Sequence, residues 1–115
     1  MNTSSDDIDA VKSLEDWFGA QCDEHWEHSF GISIETIDNP GWSVEIDLID
    51  TPWADLSIPF SHSKRSDTDW VQIEIRGGKF IGGGGVKNLN EILRKFRAVV
   101  SKPSINAALP NRTVE

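Results

Sequence analysis

The chain contains no tyrosine, a single methionine and a single cysteine. No apolar run approaches the roughly 20 residues that a membrane-spanning helix needs. One cysteine, Cys22, excludes an internal disulfide and suits a reducing compartment. The N-terminus shows no charged-then-apolar signal pattern, so the expected location is the cytoplasm and the sequons at Asn2 and Asn111 are chance matches. Basic side chains are scarce where acidic ones are dense. Residues 1–50 hold 13 acidic residues and one basic residue, Lys12, giving −12. Residues 51–115 hold 6 acidic and 10 basic, giving +4 and a net charge of −8. The first half therefore repels phosphates, which argues against nucleic acid as its partner and favours a cationic protein.

A length of 115 residues supports one core and not two. The expected organisation is a single domain over residues 6–101, with loose ends at 1–5 and 102–115. Hydrophobic residues make up 37%, low enough to suggest a small sheet covered on one face, with five tryptophans and five phenylalanines supplying bulk.

Apolar residues recur at helical spacing from Asp6: Ile8, Val11, Leu14, Trp17 and Phe18, with Gly19 as the stop. Strict alternation then predicts strands over 26–37 and 42–49, joined at Asn39-Pro40-Gly41. Even-numbered residues carry the apolar face of both strands. Facing residues share a side of the sheet, so the loop must be odd in length. A three-residue loop with Gly41 in the left-handed region places Ile34 opposite Ile46 and Ile32 opposite Leu48. It also aligns Glu35 with Glu45, beside Asp47 and Glu27. Two interpretations of this acidic stripe stand: a surface for a basic partner, or charge neutralised by Arg76 and Lys79 from the second half.

Ala54–Phe60 reads as a third strand, with Pro59 marking an edge or bulge, and residues 61–69 as a polar loop. A fourth strand spans Trp70–Arg76, Gly77-Gly78 turns the chain, and a short fifth strand covers Lys79–Ile81. The glycines at 82–85 lack the Gly-Lys-Ser/Thr ending of a phosphate loop and read as a flexible connector. Asn88 caps a helix with Glu91 three residues on; Leu89, Ile92, Leu93, Phe96 and Val100 form its apolar stripe, which stops before Pro103. The fold class is α+β: an antiparallel sheet of four to five strands flanked by an N-terminal and a C-terminal helix.

Cys22, His25 and His28 are metal-ligand types, but they number only three and lack the paired cysteines of structural zinc sites. A strand through His25 would send it and His28 to opposite faces. No metal or cofactor is expected: His28 reads as half-buried and Cys22 as a packed small hydrophobe. Nucleophilic catalysis has no signature either, since a Gly-x-Ser-x-Gly elbow is absent. Trp53, between Pro52 and Ala54, is the tryptophan expected to be exposed, beside acid, as an interface anchor.

Three sets of residues in this order resemble the immunity protein 53 family of bacterial toxin–immunity systems. They are Trp26-Glu27-x-Ser29-x-Gly31, then Glu35-Thr36-x-Asp38-Asn39-Pro40-Gly41-Trp42, then the pairs Asp69-Trp70 and Asn88-Leu89. The resemblance spans roughly residues 14–97. It implies an α+β, non-enzymatic protein that binds a cognate toxin and neutralises it by occlusion in the cytoplasm of the producing bacterium. Joined to the charge pattern, it makes Glu27, Glu35, Glu45, Asp47 and Trp53 the expected contacts with a basic toxin. Gly31, Pro40, Gly41 and Trp42 read as fold determinants. The rival functions are a small metal-dependent hydrolase using the His25/His28 region and a housekeeping protein-interaction module.

Overall fold

The segment Lys79–Gly84, half of it glycine, is the central strand of a five-stranded antiparallel sheet. The structure, a computed structural model, describes residues 5–101, with side chains from Ala10 onward. Helix α1 (Ser5–Gln21) and a short turn of helix α2 (Trp26–Ser29) precede the hairpin β1 (Ile32–Ile37) and β2 (Gly41–Asp47). Then follow β3 (Ile58–Lys64), β4 (Trp70–Arg76), β5 (Lys79–Gly84) and helix α3 (Leu89–Ser101). Strand order is β1-β2-β5-β4-β3. The α+β class is as the sequence predicts.

Glycine sits in β5 because α3 lies almost on its backbone. A Cβ at Gly82 would stand 2.6 Å from Ile92 Cγ2, and one at Gly84 would stand 3.0 Å from Asn88 Cβ and 3.1 Å from Ile92 Cδ1. The helix side of the sheet holds Val44, Ile46, Val71, Ile73, Ile75 and Phe80, all buried against Ile92, Leu93 and Phe96. Helix α1 packs alongside α3 rather than squarely on the sheet. Its Trp17 ring meets Phe96 edge-on at 5.1 Å, Trp26 at 5.9 Å and Trp53 at 6.1 Å. The alternation rule thus sorts β2 and β4 correctly: even residues of β2 and odd residues of β4 go to the core, and their neighbours face away.

Several expectations change. The polypeptide from Trp26 to Ser29 is helical, not strand. Asp23 and Glu27 hold the backbone there: Asp23 Oδ1 accepts the amides of His25 and Trp26, and Glu27 accepts those of Asp23 and Glu24. Such local bonds outcompete strand pairing, which has no partner strand at this point. The hairpin loop is three residues, as parity demands, but comprises Asp38, Asn39 and Pro40, with the Asn39–Pro40 bond cis. Gly41 is a paired strand residue with ordinary φ, and a side chain there would strike the carbonyl oxygen of Gly84. Pairing therefore slides by two, placing Ile34 opposite Val44, Ile32 opposite Ile46 and Glu35 opposite Ser43.

The third strand lies further on, over Ile58–Lys64, with a bulge between Ile58 and Ser61, so much of the expected loop at 61–69 is strand. The fifth strand extends through Gly84, which removes the flexible-connector assignment from Gly82–Gly84. Gly77 and Gly78 do form the turn, both at positive φ. Helix α1 starts at Ser5, inside the segment expected to be loose, and continues past Gly19 to Gln21. Its buried stripe is Ala10 and Trp17 with Leu14, while Val11 and Phe18 stay exposed. The expectations for residues 1–4, for the side chain of Ile8 and for residues 102–115 lie outside the described residues.

The contrast between the two sides of β5 is testable by unfolding in urea. Gly82→Val, which drives methyls into Ile92, is expected to cost about 1–3 kcal/mol. Gly83→Ala, whose Cβ would meet only the Gln72 side chain at 3.4 Å, is expected to be neutral or to stabilise by up to about 1 kcal/mol through the unfolded chain.

Candidate functional site

Helix α3 covers one face of the sheet with α1 laid against it, and among the described residues no element covers the other face. Its central row runs His62, Gln72, Gly83, Ser43, Glu35 from edge to edge. The next row holds Glu74, Ile81, Glu45 and Ser33, and beyond it lie Arg76, Lys79 and Asp47. Gly83 has no side chain, so the floor dips between the two flanks. On the β3–β4 flank three rings stack in a ladder: Phe60 over His62 at 6.4 Å and His62 over Trp70 at 6.0 Å. His62 Nδ1 and Gln72 Oε1, 3.1 Å apart, lock the ladder to the sheet. Between Trp70 and the hairpin tip lies a cavity of about 310 Å3, lined by Ile37, Asn39, His62, Lys64, Asp67, Trp70 and Gln72.

The β1–β2 flank carries the acid. Glu35, Glu45 and Asp47 all project from this face, with Glu35 and Glu45 diagonal to each other rather than opposed. Lys79 reaches Glu45 at 3.4 Å and Asp47 at 3.8 Å, whereas Arg76 pairs with Glu74 on its own strand at 3.1 Å. Asp47 also accepts the Gly31 amide at 2.9 Å, which closes the end of the hairpin. Lys64 is matched by Asp67 at 3.1 Å. The cations of this face thus offset Asp67, Glu74 and one of the Glu45/Asp47 pair, leaving two carboxylates in excess. Of the two proposed neutralisers, Lys79 acts on the stripe and Arg76 does not, so the stripe is thinned but not cancelled.

Two expected contact residues lie elsewhere. Glu27 is in α2, and its carboxylate is held below the usual range by backbone amides, its own first and then those of Asp23 and Glu24. Trp53 is half-buried against Trp17 in the core rather than exposed. A tryptophan next to a proline reads as surface in sequence, but here the β2–β3 connection folds it under α1. Cys22 and His28 are both exposed, contrary to their expected burial. The Cys22 thiol is raised above its ordinary value by desolvation first and by Glu27 and Asp23 next, which disfavours the thiolate that a metal would need. Among the described residues no three His, Cys, Asp or Glu side chains converge to hold a metal. Sequence reasoning missed Phe60, His62 and Trp70 as a group; the signal was the alternation Phe60, His62, Lys64, hidden by ending the third strand at Phe60 and reading residues 61–69 as loop.

Four residues of the sequence motifs, Trp26, Trp42, Asp69 and Asn88, are joints of the scaffold. Asn88 Nδ2 donates to Asp69 Oδ1 at 2.9 Å and to Glu91 Oε1 at 3.0 Å, so the Asp69-Trp70 and Asn88-Leu89 pairs meet. Arg65 bridges Asp69 at 2.8 Å and Glu91 at 2.6 Å, tying the β3–β4 loop to the first turn of α3. Trp26 Nε1 donates to the Ile49 carbonyl at 2.9 Å, and Trp42 Nε1 to that of Val86 at 2.8 Å.

A two-layer α+β domain with helices on one face of an antiparallel sheet, the other face open and partly acidic, is the class that fold and site define. The model of the immunity protein 53 family matches residues 11–101, and the chain belongs to that family. Curated proteins and solved structures give no match. No helix among the described residues is long and apolar enough to cross a membrane.

The Asp69 knot makes a prediction for acid stability. Hydrogen bonds from Arg65 and then Asn88 lower Asp69 to about 2 from an ordinary 3.8, and Arg65 also lowers Glu91. A carboxylate depressed in the folded state contributes its stability above its unfolded value and loses it as pH falls through the folded value. Thermal unfolding followed from pH 4 downward should show Tm falling toward pH 2, and Asp69→Asn should flatten that fall.

Proposed function

We propose that this chain is an immunity protein that binds a cognate bacterial toxin and neutralises it by occlusion in the cytoplasm of the producing cell. Family membership supports an immunity role in general. The observation that carries the binding mode is the uncovered sheet face, where excess carboxylates adjoin an exposed aromatic ladder. Glu35, Glu45 and Asp47 steer a basic toxin to the face, because long-range attraction raises the rate of encounter. Phe60 and Trp70 then supply apolar anchorage beside the glycine floor, in the manner of aromatic hot spots. Occlusion needs no catalytic group and no cofactor, and the face offers breadth rather than a deep pocket.

The test uses the C-terminal domain of the toxin encoded by the neighbouring reading frame, captured on the purified chain. Glu35→Lys together with Glu45→Lys is expected to slow association by about tenfold or more and to flatten its dependence on salt. Phe60→Ala removes an exposed ring, so stability should change by no more than about 1 kcal/mol while dissociation quickens. Affinity and salt dependence unchanged by the double charge reversal would rule out this face as the docking surface.

A further inference from the structure

The sheet has two edges, and they differ. Strand β3 is blunted by Pro59, by the bulge after Ile58 and by Lys64, the devices that stop an edge from recruiting another strand. Strand β1, Ile-Ser-Ile-Glu-Thr-Ile, has no proline, lysine or bulge and pairs regularly with β2 over its whole length. Among the described residues no strand pairs with its outer side, which presents the N–H and C=O groups of about every second residue. Beneath it, on the helix side, runs an apolar groove of about 410 Å3 lined by Val11, Leu14, Glu15, Phe18, Phe30, Gly31 and Ile32. Val11 is 51% exposed, Phe18 37% and Ile34 40%, so the groove's rim and the strand's inner face are open together. An isolated exposed apolar residue means little, but an apolar groove alongside an unblunted edge offers main-chain pairing and side-chain burial to the same visitor.

Charge selects the visitor. Pairing β1 with a second copy of itself would bring together two N-terminal halves that each hold 13 acidic residues and one basic residue. The groove's one charged lining residue is Glu15 of α1, and Lys12, the one cation of that half, is engaged by Asp16 at 3.6 Å. On the open side of the strand, Glu35 accepts a hydrogen bond from Ser33 Oγ at 3.1 Å and has no ion pair among the described residues. A strand added to β1 would send alternate side chains into the groove and the others beside Glu35. We propose that the toxin docks by adding an extended segment to the free edge of β1, with apolar residues toward Val11, Phe18 and Ile34 and lysines or arginines toward Glu35.

This docking mode rests on the toxin-binding function proposed above and extends the same sheet face by one strand. The rest of the toxin then lies over the open face.

The experiment pairs binding with hydrogen exchange, again using the C-terminal toxin domain of the neighbouring reading frame. Val11→Lys and Ile34→Lys put a charge against the apolar side chains of the incoming segment at two exposed positions. Each is expected to weaken binding by about tenfold or more. Thermal unfolding of each free variant confirms that it is folded, and Val11→Lys, on the surface of α1, serves if Ile34→Lys does not fold. In the complex of the unaltered chain, amides of residues 32–37 should gain protection. Wild-type affinity in both folded variants, or protection confined to β3 and β4, overturns edge docking while leaving toxin binding intact, and the Glu35/Glu45 reversal still reports on the face. Sedimentation showing a dimer that Ile34→Lys dissolves overturns the proposal in favour of a second copy. Failure of the unaltered chain to bind the toxin domain overturns the edge proposal and the function together.

Discussion

The close seat of α3 on β5 is the contact from which the other features follow. Ile92 and Asn88 stand where β-carbons of Gly82 and Gly84 would be, so the helix axis approaches the strand more nearly than ordinary side chains permit. Dispersion and burial both rise with that approach, and Ile92 is completely enclosed as a result. On β2, Gly41 has no side chain to strike the Gly84 carbonyl and so sits directly against it. Gly41 is thereby a paired strand residue, so the three-residue loop closes at Asp38–Pro40 and the β1–β2 pairing follows from it. With α3 committed to one face and α1 laid against α3, no element among the described residues covers the other face.

Several of the motif residues that mark the family serve this scaffold. Asp69 and Asn88 hold the start of α3 to the β3–β4 loop, with Arg65 closing the ring of charge. Trp26 and Trp42 each use the indole N–H to fasten a loop carbonyl, while their rings pack on or beside the core. A buried or half-buried polar joint needs its particular partner and tolerates few substitutes. An open sheet face carries no such demand: its side chains are constrained by what they meet outside the chain.

The electrostatic character of the face is more moderate than the composition suggests. A half-chain charge of −12 would paint a uniformly acidic surface if it were spread over the sheet. Much of that acid instead lies on α1 and around α2, where Asp23 and Glu27 bind backbone amides. Lys79, arriving from β5, then divides itself between Glu45 and Asp47. What remains is a gradient across the face, from unpaired carboxylate at the β1 edge to stacked rings at the β3 edge, and a partner must match both ends.

Periodicity made part of this legible. Alternation by two determined that Glu35, Glu45 and Asp47 share the side away from the core, that Val71, Ile73 and Ile75 lie inside, and that the hairpin loop is odd in length, because pleat geometry leaves no other solution. Helical spacing located α3 and its cap for an equally local reason. The register of Glu35, the role of Lys79 and the burial of Trp53 were not legible, since each depends on residues distant in the chain. The same holds for β3, whose polar and aromatic outer face resembles loop until β4 is beside it, and for the glycine strand, which has no propensity of its own and exists because α3 presses on it. Which residues share a face was written into the order of the chain; what stands opposite them came from folding, because a pleat is set by neighbours along the chain and a register by neighbours across space.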